Sequence, residues 1–436
     1  MRVRDILDID FLLLIAMIAL TIFGVLFIYS ARISSSGDLI NGEYFRQIIF
    51  ASVGLVLTLT LALVDYRQLH NISLYLYLGA LALLTYTCLS GRLVKGARAW
   101  IGLGSFGIQP SEFAKITTLI FLARYLADSK RSDNSFIRFI VSCIIVFVPM
   151  GIILLQPDLG TALVFIPILL VTAFVAGVSL RYVLFLGAWI AITGVLMVLP
   201  LWQRYIMGNR LPGLLLLTNV RFTAIAIMAF MLIAAIALFG FIKFKKRYFF
   251  WIVYALAILI LSMGASFAAR KVLKEYQIMR LIVFMNPAVD PRDSGWHIIQ
   301  SITAIGSGGI WGKGYLRGTH SHSRFLPEQS TDFIFSIFSE EWGLAGGLLV
   351  FALFLLMLLR LMRILRLATD PFGAYIIAGL SGMYIFHFII NVGMTMGIMP
   401  ITGIPLPFMS YGGSALLSSM IGIGLALSVY VRRYQH

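Results

Sequence analysis

Apolar residues come along this chain in blocks, separated by short polar stretches. The blocks are about 18 to 25 residues long, the length at which a helix crosses a hydrocarbon core of about 30 Å. They lie near 11–30, 47–65, 73–90, 112–127, 137–155, 160–177, 183–200, 222–242, 249–268, 333–359, 373–396 and 414–431. The pattern predicts an all-α polytopic membrane protein of about twelve transmembrane helices. Helices rather than strands follow because each backbone group in lipid must find its partner within its own segment. The fourth block is short and carries Glu112, Lys115 and Arg124. The first has no small-residue cleavage site near its end, so it reads as a retained span and not a signal peptide. No low-complexity segment, coiled coil or clear internal repeat is visible, and residues 1–436 read as one integral membrane domain.

Composition excludes a soluble protein. Of 436 residues 60% are hydrophobic and 12% charged, too little charge to cover the surface of a soluble chain this long. Cys88 and Cys143 both fall inside apolar blocks and read as small hydrophobes. The net charge of +16 is largely topological. Arg2 and Arg4, Arg67, the Lys130–Arg138 cluster, Arg181, the KFKKR run at 243–247, the Arg360–Arg366 cluster and Arg432–Arg433 fall on one side of the twelve crossings. Basic residues mark the cytoplasmic side, so both termini are expected there. These clusters require no nucleic-acid partner. Anchoring and attraction to anionic membrane lipids account for them.

The opposite face carries cations that run against this rule: Arg92, Lys95 and Arg98 in the 91–111 loop, and eight more in residues 270–332. An anionic ligand and ordinary solvation both explain them, although a long loop translocates largely regardless of its charge. Glu112 and Lys115 stand three apart on a helix and can pair, either for function or to fix packing. Asp158, in Gln156-Pro157-Asp158-Leu159-Gly160, is placed to cap the next helix. The long loop 270–332 is densest in signals, with Asp290-Pro291-Arg292-Asp293-Ser294-Gly295-Trp296-His297, a glycine-rich run from Gly306 to Gly314, and Leu326-Pro327-Glu328. The glycines let backbone N–H groups approach an anion, but the nucleotide-binding P-loop pattern is missing. Asp-Pro and Asp-Ser-Gly also form ordinary turns. His297, His320 and His322 lack a second ligand cluster, so no metal site is assigned.

Four blocks carry a family resemblance: KGARAWIGLGSFGIQPSEFAK at 95–115, QPDLGTA at 156–162, the block at 286–343 from NPAVDPRDSGW to FSEEWG, and MPITGIPLPFMSYGGS at 399–414. In their order and identity the chain resembles the SEDS proteins (shape, elongation, division and sporulation). GSGGIWGKG followed by GT is similar to the elongation branch of that family more than to its division branch. The resemblance implies a peptidoglycan glycosyltransferase of the bacterial cell (inner) membrane. It would polymerise lipid II on the outer face during cell elongation, beside a class B penicillin-binding protein that crosslinks the strands and other membrane proteins of the elongation complex. It implies Asp290 as the catalytic residue, general base to the acceptor hydroxyl within the 270–332 loop. One carboxylate and some cations suffice, because a lipid pyrophosphate leaves without being protonated. Arg98, Trp100, Glu112, Lys115, Lys313 and Glu328 are candidate substrate contacts, Trp100 either stacking on a sugar or seating its loop. No cofactor is certain. A divalent cation, magnesium or manganese, would suit the leaving group, but the sequence names no ligands for it.

The chain departs from the family in two respects. Members are expected to have ten spans, so the region 183–268 reads as containing an extra helix pair, which preserves sidedness. Trp296 stands where tyrosine is common and His320 where glutamine is. Two other functions fit parts of the pattern: a lipid II flippase, which would be expected to show broken helices and repeats, and a noncatalytic scaffold of the elongation complex, which has no need of Asp290.

Overall fold

In the computed structural model, residues 9–33, 42–94, 97–102, 107–129, 134–205, 219–272, 275–290, 294–322 and 328–434 are described. A helix stands at each of the twelve positions read from the apolar blocks. They are α1 Phe11–Ser30, α2 Glu43–Leu63, α3 Gln68–Ser90, α4 Pro110–Asp128, α5 Ser135–Leu155, α6 Leu159–Val175, α7 Leu180–Tyr205, α8 Val220–Phe244 and α9 Arg247–Val272, then, after four shorter elements given below, α13 Ile334–Leu367, α14 Pro371–Thr395 and α15 Gly413–Val431. Ten of these are long and apolar enough to cross a membrane. The other two are α6, with 17 residues, and α4, whose 19 residues include Glu112, Lys115, Arg124 and Asp128. Between α3 and α4 a small antiparallel hairpin pairs β1, Arg92–Val94, with β2, Ala97–Trp100. The long loop holds α10, Glu275–Met285, a 3-10 turn at Pro287–Val289, α11, Ser294–Ser307, and the single turn α12, Thr319–His322.

Several helix starts are fixed by capping side chains, which satisfy orphan N–H groups where lipid offers no partner. Asp10 accepts the Leu13 N–H at 3.1 Å and pairs with Arg360 of α13 at 2.7 Å, tying the two helices together at that end. Asp158 caps α6, taking the Thr161 N–H at 3.1 Å and its hydroxyl at 2.8 Å, so the capping role expected for it is present. Asp370 caps α14 by accepting the Gly373 N–H at 3.0 Å, with Pro371 at the first helical position, where a missing N–H costs nothing.

The chain divides into two compact units, residues 1–179 with 297–436, and residues 180–296. In the first, α15 lies along α2, and α14 packs on α6, α4 and α13. Its core holds polar side chains with partners inside the unit. The Thr58 hydroxyl, for example, donates to the carbonyls of Gly54 and Met420 at 2.9 Å each. In the second unit α9 packs on both α7 and α8. The three apolar blocks between 183 and 268 are therefore three helices, and α8 presents most of its side chains outward.

Candidate active site

Asp290 closes the 3-10 turn at Pro287–Val289 and is half-buried. Asn286 opens that turn by accepting the Ala288 N–H at 3.1 Å. The Asp290 carbonyl then accepts the Gly295 N–H at 3.0 Å. A side-chain carbon on residue 295 would land against the carbonyls of Pro287 and Asp290, which is why a glycine five residues after the aspartate belongs to this motif. The backbone of the aspartate is thus held on both sides, by Pro287 before it and by Gly295 at the start of α11. Pro291, Arg292 and Asp293 lie outside the described residues.

The glycine-rich run does something other than cradle an anion. α13 is broken at Gly343, whose φ of 65° and ψ of −161° are not helical. A break strips backbone partners from the neighbouring turns. The run refills them: Lys313 and Gly314 donate N–H to the carbonyls of Glu340 and Glu341 at 3.1 and 2.9 Å, while Leu344 and Ala345 donate to the carbonyls of Gly309 and Ile310 at 2.9 and 3.0 Å. Gly312 N–H is bonded to Gly308 at 2.8 Å. The expectation that these glycines offer free N–H groups to a phosphate is corrected by this geometry. At Gly312 (φ 80°) a side chain would strike the Glu341 carbonyl.

Glu340 and Glu341 sit at that break with no exposed surface. The Glu340 carboxylate accepts from Lys313 Nζ at 2.8 Å, from the His320 and Ser321 N–H groups at 2.8 and 3.0 Å, and from the Thr319 hydroxyl at 3.2 Å. Glu341 accepts from the Ser30 hydroxyl and, at 3.0 Å, from the Leu316 N–H. Lys313 also donates to Ser307 and Thr319 at 2.7 Å each. All three of its N–H bonds are therefore taken. His322 lies 3.5 Å from Ser30 Oγ. Burial holds its imidazole below the usual histidine range, with the Glu340 carboxylate pulling the other way.

The remaining candidates are dispersed. Glu112 and Lys115 form the expected pair at 2.9 Å, with side-chain exposures of 4% and 2%. Ser418 donates to the same Glu112 oxygen at 3.2 Å, and His387 Nε2 stands 3.4 Å from Lys115 Nζ. That cluster joins α4, α14 and α15, and both charges are engaged within the helix bundle. Nearby, Gln109 donates to Asp158 at 2.8 Å. Burial raises the Asp158 pKa, opposed by its bonds from Thr161. Arg98 is exposed on β2, whereas Trp100 is half-buried and lies over Gly107. Glu328 is exposed. Its carbonyl accepts from Thr331, Asp332 and Phe333 N–H at 3.2 to 3.4 Å, making the turn that leads into α13.

Sequence reasoning missed Glu340, Glu341, His387 and a further cluster in which Arg32 grips Glu43 at 2.7 Å while Ser330 bonds both, at 3.0 Å to Arg32 and 2.8 Å to Glu43. Two adjacent glutamates inside an apolar block were the available signal, since charges at membrane depth are rarely idle. Among the described residues no group of three or more His, Cys, Asp or Glu side chains gathers as a metal site would require.

Comparison with known proteins gives the context. A family profile described as "Cell cycle protein", covering FtsW, RodA and SpoVE, matches residues 10–213 and 205–435. The chain is 47% identical to the peptidoglycan glycosyltransferase RodA of Treponema pallidum, over 99% of this chain and all of that one. It is 32% identical to the peptidoglycan glycosyltransferase MrdB of Escherichia coli, covering 98% and 95%. Among solved structures it matches a chain from a study titled "Structural coordination of polymerization and crosslinking by a peptidoglycan synthase complex" with TM-score 0.68 and 26% identity, covering 98% and 99%. It also matches the rod shape determining protein RodA of Thermus thermophilus with TM-score 0.61 and 25% identity, covering 98% of each. With an all-α architecture, repeated membrane-spanning helices and this full-length similarity, the chain belongs to the FtsW/RodA/SpoVE family, the SEDS proteins.

Proposed function

We propose that this protein is a peptidoglycan glycosyltransferase of cell elongation that polymerises lipid II on the outer face of the bacterial membrane, with Asp290 as general base. The observation that carries the reading is the backbone bonding of the half-buried Asp290, to Pro287 before it and to Gly295 after it, in a chain whose full-length relatives are named glycosyltransferases. Asp290 takes the proton of the acceptor 4-hydroxyl as its oxygen attacks the donor's anomeric carbon. The bond from that carbon to the lipid pyrophosphate breaks and the pyrophosphate leaves as the anion. Attack opposite an α-linked leaving group gives a β-glycosidic bond. The exposed Arg98 is suited to the departing negative charge, whereas Lys115 and Lys313 serve the scaffold through their glutamates. The neighbour whose title joins polymerisation to crosslinking supports a class B penicillin-binding protein as the partner.

The purified protein, reconstituted with lipid II and its transpeptidase partner, should make glycan polymer. Asp290→Asn should slow polymerisation by about 10²- to 10⁴-fold with insertion and partner binding intact. Polymer formation by Asp290→Asn at the wild-type rate would refute the assignment and move attention to Glu328. Lipid II translocation without polymer would favour a flippase, and neither activity would favour a scaffold.

A further inference from the structure

Glu340 and Glu341 are adjacent and wholly buried, yet their charges are met differently. Glu340 has the Lys313 ammonium at 2.8 Å. Glu341 has neutral donors, the Ser30 hydroxyl and the Leu316 N–H. Among the described residues the one basic group in ion-pairing range of Glu341 is His322, whose Nε2 stands 3.7 Å from Glu341 Oε1. That is beyond hydrogen-bond reach, and burial holds the imidazole below the usual histidine range. Two carboxylates and one ammonium leave one negative charge over. A carboxylate this far from water is normally paired or bound to a metal ion.

A third side chain points independently to a ligand. Ser321 is 1% exposed. Its N–H is bonded to Glu340 Oε2 at 3.0 Å, but its hydroxyl oxygen has no hydrogen-bond partner. Ser321 Oγ, Glu340 Oε2 and Glu341 Oε1 all lie within 3.3 Å of the point that a side-chain carbon would occupy on residue 318. Residue 318 is glycine, and any side chain there would strike Ser321 Oγ. A buried hydroxyl therefore faces two carboxylate oxygens and bonds to neither. A buried polar atom in that state calls for a bound water or ion. Ser30 Oγ, bonded to Glu341 Oε1, is the fourth oxygen of the group. A cavity of about 420 Å³ borders Glu341, with Gly314 and Tyr315 also in its wall, so an ion has a way in.

We propose that Ser30, Ser321, Glu340 and Glu341 form a binding site for one monovalent metal cation, sodium or potassium, which pins the 316–322 segment to the break in α13. Carboxylate and hydroxyl oxygens without a thiolate select a hard cation. One positive charge neutralises the group, whereas a divalent ion would leave it positive and buried.

The test uses the full-length protein, purified in detergent in choline chloride, with sodium, potassium, magnesium or manganese chloride exchanged in at matched ionic strength. Sodium or potassium should raise the melting temperature and slow proteolysis of residues 308–322, both saturably. Wild type should also broaden the sodium NMR signal. Glu341→Gln keeps the shape and removes the charge, so it should melt alike in choline, sodium and potassium and leave the signal sharp. Ser321→Ala should raise the alkali-ion concentration needed for half-protection by about tenfold or more, and it keeps the test open if Glu341→Gln does not fold. These readouts are independent of whether polymer is made. The proposal fails if wild type melts alike in choline, sodium and potassium, if Glu341→Gln keeps the alkali-ion response, or if Ser321→Ala leaves the half-protection point unchanged. It fails too if magnesium or manganese protects and the alkali ions do not, because the site would then be built for two charges.

Discussion

An ammonium group has three hydrogens to give, and Lys313 gives one each to Glu340, Ser307 and Thr319. Glu340→Ala therefore removes more than a salt bridge. It strands a partly buried cation and two backbone N–H groups, a change worth about 3–5 kcal/mol. The variant should melt well below wild type in detergent, whereas Lys313→Met combined with Glu340→Leu should recover much of the loss, because no lone charge remains. Equal melting of wild type and Glu340→Ala would contradict the clamp. His322 supplies a pH signature at the same scale. Its folded pKa is depressed by burial, so below the unperturbed value of about 6.5 the released loop binds a proton that the packed loop refuses. The packing contribution is present above that pH and lost as pH falls through it. The His322-dependent part of protease or thiol access to residues 308–322, read as the difference between wild type and His322→Phe, should rise on acidification. The sequence named Lys313 but assigned it outward, to substrate, because the residue that claims it lies 27 positions later inside an apolar block. Asp290 was legible through its motif, whereas the Gly295 contact that fixes it required the backbone.

At the scale of elements, the loop and α13 are one construction. Two glycines separate conformation from contact. Gly309 has φ 57° with open space around its missing side chain, whereas Gly312 has φ 80° and faces the Glu341 carbonyl. Gly309→Ala should cost about 1–2 kcal/mol, the left-handed penalty alone. Gly312→Ala should cost on the order of 3 kcal/mol and expose the loop to proteolysis. A Gly312→Ala variant no less stable than Gly309→Ala would mean that the loop does not dock at the break. Periodicity gave α13 as a single span because Gly343 interrupts its geometry without interrupting its hydrophobicity. Nothing local to GSGGIWGKG distinguishes N–H groups awaiting a phosphate from N–H groups completing a helix some thirty residues on.

For the whole molecule, the alternation of basic gaps implies that residues 270–332 face outward. Ser321 is a poor place to test this, being 1% exposed. Arg317, which is exposed, and Tyr434, 74% exposed, serve better. In whole cells Arg317→Cys should react with a membrane-impermeant thiol reagent and Tyr434→Cys should not, and the reverse result would overturn the orientation. The proposed surplus pair is open to a similar test. α8 and α9 form a hairpin, and excising both keeps sidedness, so a chain joined from α7 to α10 should still insert and, with its partner, polymerise lipid II. Insertion without polymer would show that the hairpin belongs to the catalytic core. The number and placement of the long helices were legible because block length and hydrophobicity are local properties. The division into two units was not, because it depends on which helix faces meet.

The docked glycine run also orders the molecule's own manufacture. Residues 308–314 leave the ribosome before the helix they complete, and in the proposed orientation they have crossed the membrane before α13 follows. When Gly343 arrives, the carbonyls and N–H groups that its break leaves bare meet a template already waiting on the outer side. A chain in which this order is disturbed, as in a circular permutant that begins at α13 and returns the loop at its end, would have to hold a broken helix in lipid without its complement. Such a permutant should insert poorly even with every native contact still encoded.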